Sequence, residues 1–267
     1  MMNECARLLK QLARYDEAEP LYRRALEIKE AALGPDHPST GESVGNLAEL
    51  LRAKGDLDGA EPLCRRALEI KEAALGPDHP DTGTSVGNLA QLLEAKGDLD
   101  EAEPLFRCAL EIYEAALGPD HPDTGESVNN LAMLLEAKGD LDGAEPLCRR
   151  ALEIKEAALG PDHPSTGIPV NHLASLLYAK GDLDGAEPLY RRALAIFEAA
   201  LGPDHPNTIY VRGCVGGPQL MRGGDTASEG RAAIEEALRV LQAPPHSLPD
   251  SHRWVMELGG WLASSTA

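Results

Sequence analysis

The chain has 267 residues, with 25 Lys and Arg against 44 Asp and Glu, a net charge of −19 and a pI near 4.8. An acidic surface repels phosphate, so nucleic acid and anionic membrane are disfavoured as partners. Hydrophobic residues make up 43% but aromatic ones only 4%, so the core has to be built from Leu, Ala, Ile and Val, a composition suited to closely packed helices.

One string, Leu-Gly-Pro-Asp-His-Pro, recurs at 33–38, 75–80, 117–122, 159–164 and 201–206, each copy 42 residues after the last. This period organises the whole chain. Complete repeats lie at 38–75, 80–117, 122–159 and 164–201, enough for a stable stack, with a truncated one before and a divergent one after. The stretch Met1–Pro20 alternates charged and apolar residues and contains no signal-peptide pattern, and no apolar run reaches about 18 residues anywhere. The cytosol is the expected location. Ala6, Leu8, Leu9 and Leu12 align with Ala48, Leu50, Leu51 and Lys54 one period on, so the chain begins inside the first helix of a repeat. That leaves an apolar end surface where a solenoid wants a polar cap, and three readings stay open: a fragment, a short gene model, or a protomer that pairs end to end.

Within a complete repeat, Val44, Leu47, Ala48 and Leu51 share one helical stripe and predict helix A over roughly 38–54. Gly55 suits a left-handed C-terminal cap and Asp56 the N-cap of helix B, roughly 57–74. Asp98 and Glu101 have capping-box spacing in the next repeat. Ala60, Leu63, Cys64, Ala67, Leu68 and Ile70 form the packed face of helix B, while Arg65 and Glu69 are expected to pair in solvent. Glu-Pro recurs at 19–20, 61–62, 103–104, 145–146 and 187–188, just beyond the first turn of helix B, and predicts a built-in bend.

Asn-Leu-Ala (46–48), the run Gly55–Ile70 and Leu-Gly-Pro-Asp-His-Pro resemble the tetratricopeptide repeats of kinesin light chains and of nephrocystin-3-like proteins, over about 1–206. The resemblance implies an all-α, right-handed α-solenoid of antiparallel helix pairs, a tetratricopeptide-like superhelix. Its concave surface, lined by A helices, would hold an extended peptide segment of a protein partner. The chain departs from kinesin light chains in having no heptad segment for pairing with a heavy chain, so membership of a motor is not supported.

Opposite the apolar stripe of helix A lie Glu42, Asn46, Glu49 and Ala53, with equivalents one, two and three periods on. Asn46, Asn88 and Asn130 form a ladder, continued by His172, that can pair with peptide amides without reading sequence closely. Glu49, Gln91, Met133 and Ser175 vary between repeats and would supply specificity, bordered by Arg52, Glu94, Glu136 and Tyr178. Asn129 and Asn171 replace Gly45 and Gly87 beside the ladder. Contact is therefore expected to centre on 126–178, and the acidic members predict a partner segment with some basic residues. The opposing reading is that Asn merely tolerates a solvated helix face, copied by duplication.

His37, His79, His121, His163 and His205 sit in B-to-A turns, each followed by Pro at a helix start, with the preceding Asp able to cap. Packed helices keep such copies at least about 8–10 Å apart, too far to share one metal ion. Neither metal nor cofactor is expected. Cys5, Cys64, Cys108, Cys148 and Cys214 are too scattered for a disulfide framework and read as reduced, packed thiols, with Cys64 and Cys148 as core fillers. No nucleophile elbow, phosphate loop or His-Glu-x-x-His pair is present, so an enzyme is not expected.

At the far end, the glycine-rich 212–224 reads as decay of a helix A. A helix B with Ala233, Ile234, Ala237, Leu238 and Leu241 follows from Asp225 to Gln242, and Ala243–Pro249 stops it. A last helix, about 250–263, puts Trp254, Leu258, Trp261 and Leu262 on one side, most simply as a cap on the last repeat. The domain reading is tetratricopeptide-like repeats over 1–205, a degenerate repeat over 206–243, and a linker with capping helix over 244–267. Two functions are carried forward: a scaffold or adaptor holding a partner peptide, and a regulatory or sensor arm of a larger signalling protein that contacts its own chain.

Overall fold

The computed structural model describes residues 2–11, 14–243, 248 and 253–264, and every regular element among them is a helix. In chain order these are α1 Met2–Gln11, α2 Tyr15–Leu33, α3 Pro38–Lys54, α4 Leu57–Leu75, α5 Pro80–Lys96, α6 Leu99–Leu117, α7 Pro122–Ala137, α8 Leu141–Leu159, α9 Pro164–Ala179, α10 Leu183–Leu201, α11 Pro206–Arg222, α12 Asp225–Gln242 and α13 Arg253–Ser264. They gather into two compact units, Met1–Lys138 and Gly139–Ala267. Within each unit successive helices pack on one another, and from α2 to α12 short connections make them antiparallel pairs in a tetratricopeptide-like α-solenoid. The stop read at 244–249 lies, apart from Leu248, outside the described residues, as do Leu12 and the 250–252 start of the last helix.

Small residues and side-chain caps close the turns. Gly55 is left-handed (φ 84°) at the end of α3, a conformation that costs other residues their Cβ clearance. Asp56 then accepts from the Gly59 N–H at 2.9 Å, and Asp140 and Asp182 do the same for Gly143 and Gly185. Asp98 makes no side-chain cap, so the expected capping box is absent. The reason is steric: a Cβ on Gly59, Gly143 or Gly185 would collide with the capping carboxylate, and α6 carries Glu101 at that position.

In the B-to-A turns the histidine, not the aspartate before it, is the cap. His37 Nδ1 accepts from the Ser39 N–H at 3.1 Å, and His79, His121, His163 and His205 repeat the arrangement. The Thr40 hydroxyl closes the same turn by donating to the Gly34 carbonyl at 2.8 Å, as Thr82, Thr124 and Thr166 do in theirs.

Val44, Leu47, Ala48 and Leu51 are buried as the stripe predicts, with Leu50 added, and Cys64, Phe106, Cys148 and Tyr190 fill one equivalent core position. Burying each Leu contributes about 1.5–3 kcal/mol. The helix-B prolines are accommodated within unbroken 19-residue helices. Cys5 and Cys108 are exposed rather than packed, Cys108 standing where other repeats carry an arginine.

Arg65 pairs with Glu61, not with Glu69. Both partners are one turn away, but Glu61 is already held by a recurring clamp. The Lys96 ammonium at the end of α5 bridges Asp58 (3.0 Å) and Glu61 (2.8 Å) at the start of α4, and Arg65 completes the cluster. Lys54, Lys138 and Lys180 make the same clamp on Asp16 and Glu19, Asp100 and Glu103, and Asp142 and Glu145, and Arg222 makes it on Asp184 and Glu187. The glycine-rich 212–224 is a complete helix up to Arg222 rather than a decayed one. A Cβ on Gly216 would lie 2.5 Å from the Gly230 carbonyl, so these glycines let α11 and α12 touch backbone to backbone.

Candidate functional site

In the N-terminal unit the faces of α3, α5 and α7 that carry the polar ladder enclose two adjoining depressions. The first, about 460 Å³, is lined by Glu42, Asn46 and Glu49 of α3 and by Thr84 and Asn88 of α5. Lys71 rises from α4 along one wall, where its ammonium meets Asp81 at 2.8 Å and holds that carboxyl below its ordinary range. The second, about 290 Å³, lies between α5 and α7, with Asn88, Gln91 and Asn130 around it and Asp123 and Glu126 among its lining. Phe106 and Ala109 of α6 contribute its apolar lining. Thr84 and Asn88 belong to both depressions, which makes them one continuous path.

The helix period explains the placement. Asn46, Asn88 and Asn130 fall between the buried stripe and solvent, so each is half-buried. Carboxylates outnumber ammonium groups along the path, although Lys10 pairs with Glu49 at 2.7 Å and Lys29 with Glu42 at 3.3 Å.

Two predicted residues sit elsewhere. Asn129 and Asn171 are each only 7% exposed. Their position faces helix B: a Cβ on the equivalent Gly45 or Gly87 would lie 3.9 Å from Ala67 or Ala109. The Asn129 amide donates to the half-buried Met133 sulfur at 3.6 Å, and the side-chain oxygen of Asn171 has no hydrogen-bond partner. In the C-terminal unit, His172 is half-buried and Ser175 donates to Glu257 of α13 at 3.4 Å. The structure thus brings Asn46, Glu49, Asn88, Gln91 and Asn130 onto one path, and sets Ser175 under the last helix instead.

Reasoning from helix A alone missed the B-helix contribution. Tyr113 donates to or accepts from Thr84 at 2.8 Å, and burial raises its phenol above the usual tyrosine range. A signal was present: position 29, 71, 113, 155, 197 reads Lys, Lys, Tyr, Lys, Phe while its neighbours barely change. Among the described residues no three His, Cys, Asp or Glu side chains are grouped as a metal site requires, and no helix is long and apolar enough to cross a membrane.

Comparison with known proteins adds the family. The tetratricopeptide repeat pattern matches residues 1–62, 43–115, 86–145 and 126–169, and a second tetratricopeptide repeat pattern matches 170–207. No curated protein sequence matches the chain. Among solved structures, BtubC (BKLC) from P. vanneervenii is 24% identical with a TM-score of 0.67, over 92% of this chain and 95% of that one. A kinesin light chain-like chain from Podosopora anserina with nearly identical TPR-like repeats is 28% identical with a TM-score of 0.60, over 74% of this chain and 94% of that one. The Signal Transduction ATPase with Numerous Domains (STAND) protein with a tetratricopeptide repeat sensor from Pyrococcus horikoshii is 16% identical with a TM-score of 0.67, over 99% of this chain and 38% of that one.

Proposed function

Because the chain belongs to the tetratricopeptide repeat family and is similar to kinesin light chain-like members of it, we propose that it is a non-enzymatic scaffold or adaptor that holds an extended peptide of a partner protein. The observation that carries this is the continuous path over α3, α5 and α7 with Asn46, Asn88 and Asn130 spaced along it. Each amide offers a donor and an acceptor to a peptide backbone, and Tyr113, Gln91 and Glu49 distinguish one stretch of the path from the next. The excess of carboxylates favours a segment with Lys or Arg among its residues. Five free thiols fit a reducing compartment, and we place the protein in the cytoplasm.

The test is retention of an extended, Lys- and Arg-containing peptide library by the full chain and by an Asn46→Ala, Asn88→Ala, Asn130→Ala variant. Three lost hydrogen bonds at about 0.5–1.5 kcal/mol each should weaken binding by about tenfold or more. Equal retention by the two proteins sinks the reading. The fold likeness to the STAND sensor supports a second one, in which the path contacts another part of the same polypeptide. That reading requires binding in cis to fragments of its own gene product and none to the library.

A further inference from the structure

The C-terminal unit differs from the N-terminal one in what lies on its ladder face. Counting by the 42-residue period, Tyr210, Gly213, Cys214 and Gly217 of α11 stand where α3 carries Glu42, Gly45, Asn46 and Glu49. All four are buried; α13 lies over Tyr210 and Gly217, and Gly213 sits between Leu258 of α13 and Ala237 of α12. Trp254 stacks on Tyr210, ring centroids 4.8 Å apart and planes 15° from parallel. Leu258 is fully buried, and a Cβ on Gly213 would lie about 3.0 Å from it. Trp261 lies 4.6 Å from the Tyr178 ring and edge-on to Tyr190, and a Cβ on Gly217 would come within 2.7 Å of its indole. Glu257 accepts from the Tyr210 hydroxyl at 2.8 Å and from Ser175.

A terminal cap need only cover the last helix pair. α13 instead reaches back to Ser175 and Tyr178 of α9 and to the core residue Tyr190 of α10, and of the residues it meets Ser175 and Gly217 occupy specificity positions, with Tyr178 bordering them. Its own sequence gives it little reason to be helical alone: it spans 12 residues, near the lower limit for an isolated helix, and contains Gly259 and Gly260, where an added Cβ would meet nothing within 4 Å. Each such glycine costs a helix about 1 kcal/mol relative to alanine. Its order therefore comes from the surface it lies on.

We propose that the face of α9, α10 and α11 beneath α13 is a helix-binding groove, and that α13 is its ligand in cis, held by the Trp254, Glu257, Leu258 and Trp261 face and displaceable from it. Gly213 and Gly217 are the recesses that admit Leu258 and Trp261. Because α13 belongs to the same chain, its high local concentration helps keep the groove filled. The surface uses residues different from those of the open path, so the proposal stands whether or not that path binds peptide.

The test uses the full chain with Trp254→Ala and Trp261→Ala, which frees the groove and leaves the protein without tryptophan. A synthetic peptide of residues 248–267 then reports its own binding by tryptophan fluorescence. We expect binding at least tenfold tighter than to the unaltered chain, where the cis helix competes and a fluorescein-labelled form of the peptide supplies the readout. Adding Gly217→Gln, the residue that α5 carries at this position, should abolish it. A folded double variant that ignores the peptide overturns the proposal, as does binding that survives Gly217→Gln. Hydrogen exchange on the unaltered chain covers the case where the double variant unfolds: residues 253–264 opening faster than 206–242 support a displaceable ligand, and a common rate marks a fixed cap and overturns it.

Discussion

The helices α5 and α11 occupy the same register of the repeat yet present opposite surfaces. In α5, Gly87, Asn88 and Gln91 leave a wet, half-buried path with nothing closer than ordinary contact at Gly87. In α11, Gly213, Cys214 and Gly217 are buried, Gly217 under α13 and Gly213 between α13 and α12. The difference teaches that one repeat frame supports both an open polar face and a sealed apolar one, and that loss of the repeat's usual residues is here a gain of fit. Small residues in α11 are not blanks; they are the shape of what lies on them.

The sharpest way to break this contrast is a matched pair of substitutions. Gly213→Ala places a Cβ 2.8 Å from Ala237 and about 3.0 Å from Leu258, and should destabilise the C-terminal unit by about 1–3 kcal/mol. Gly87→Ala has space, and should stabilise the N-terminal unit by about 0.5–1 kcal/mol through its better helix propensity. Urea unfolding of the two variants checks this, and shifts of the same sign would remove the distinction.

A smaller effect separates helices that look alike in sequence. Asp140→Ala should cost about 1 kcal/mol, because its carboxylate caps α8, whereas Asp98→Ala should stay within a few tenths, because α6 has no side-chain cap. Thermal midpoints of the two variants provide the measurement, and equal losses would mean that Asp98 caps in solution after all.

The smallest expectation is one of sameness. Hydrogen bonds from lysine or arginine hold Glu61, Glu103, Glu145 and Glu187 below the ordinary 4.5, the largest contributions coming from Lys96, Lys138, Lys180 and Arg222 and the next from Arg65, Arg107, Arg149 and Arg191. A lowered folded pKa means the stabilisation is complete above the unfolded value and is lost as pH falls through the folded one. Stability should therefore decline modestly below about pH 4.5 in both units, since each contains the clamp. Hydrogen exchange at pH 6, 4 and 3 resolves the units, and acid loss confined to one of them would show that they do not share this frame.

Much of the architecture was readable from the residues. The 42-residue period, the Val44, Leu47, Ala48, Leu51 stripe and the Gly55-Asp56 break place the helix pairs of the regular repeats, because these are local signals repeated until chance is excluded. The ladder residues Asn46, Asn88 and Asn130 were readable for the same reason. What escaped depends on choices between equally spaced partners or on distant contacts. Arg65 has an acid one turn either way, and only the clamp from the neighbouring pair decides between them. Asn129 looks like a ladder residue until its closeness to helix B is seen. The face of α13 was legible, but the surface it covers involves pairs such as Ser175 and Glu257, 82 residues apart, which no periodicity encodes.

The lysine clamp carries a consequence for how the stack comes apart. Each clamp joins one helix pair to the next and to no other, and its charges sit at the surface with the Asp carboxylate fully open and the Lys and Glu partly covered, so it acts as a coupling between neighbours that salt weakens in part. In dilute buffer the repeats within a unit are bound into one cooperative transition. In concentrated salt that coupling fades while the buried stripes remain, so the repeats melt more independently and the transition broadens from its ends inward.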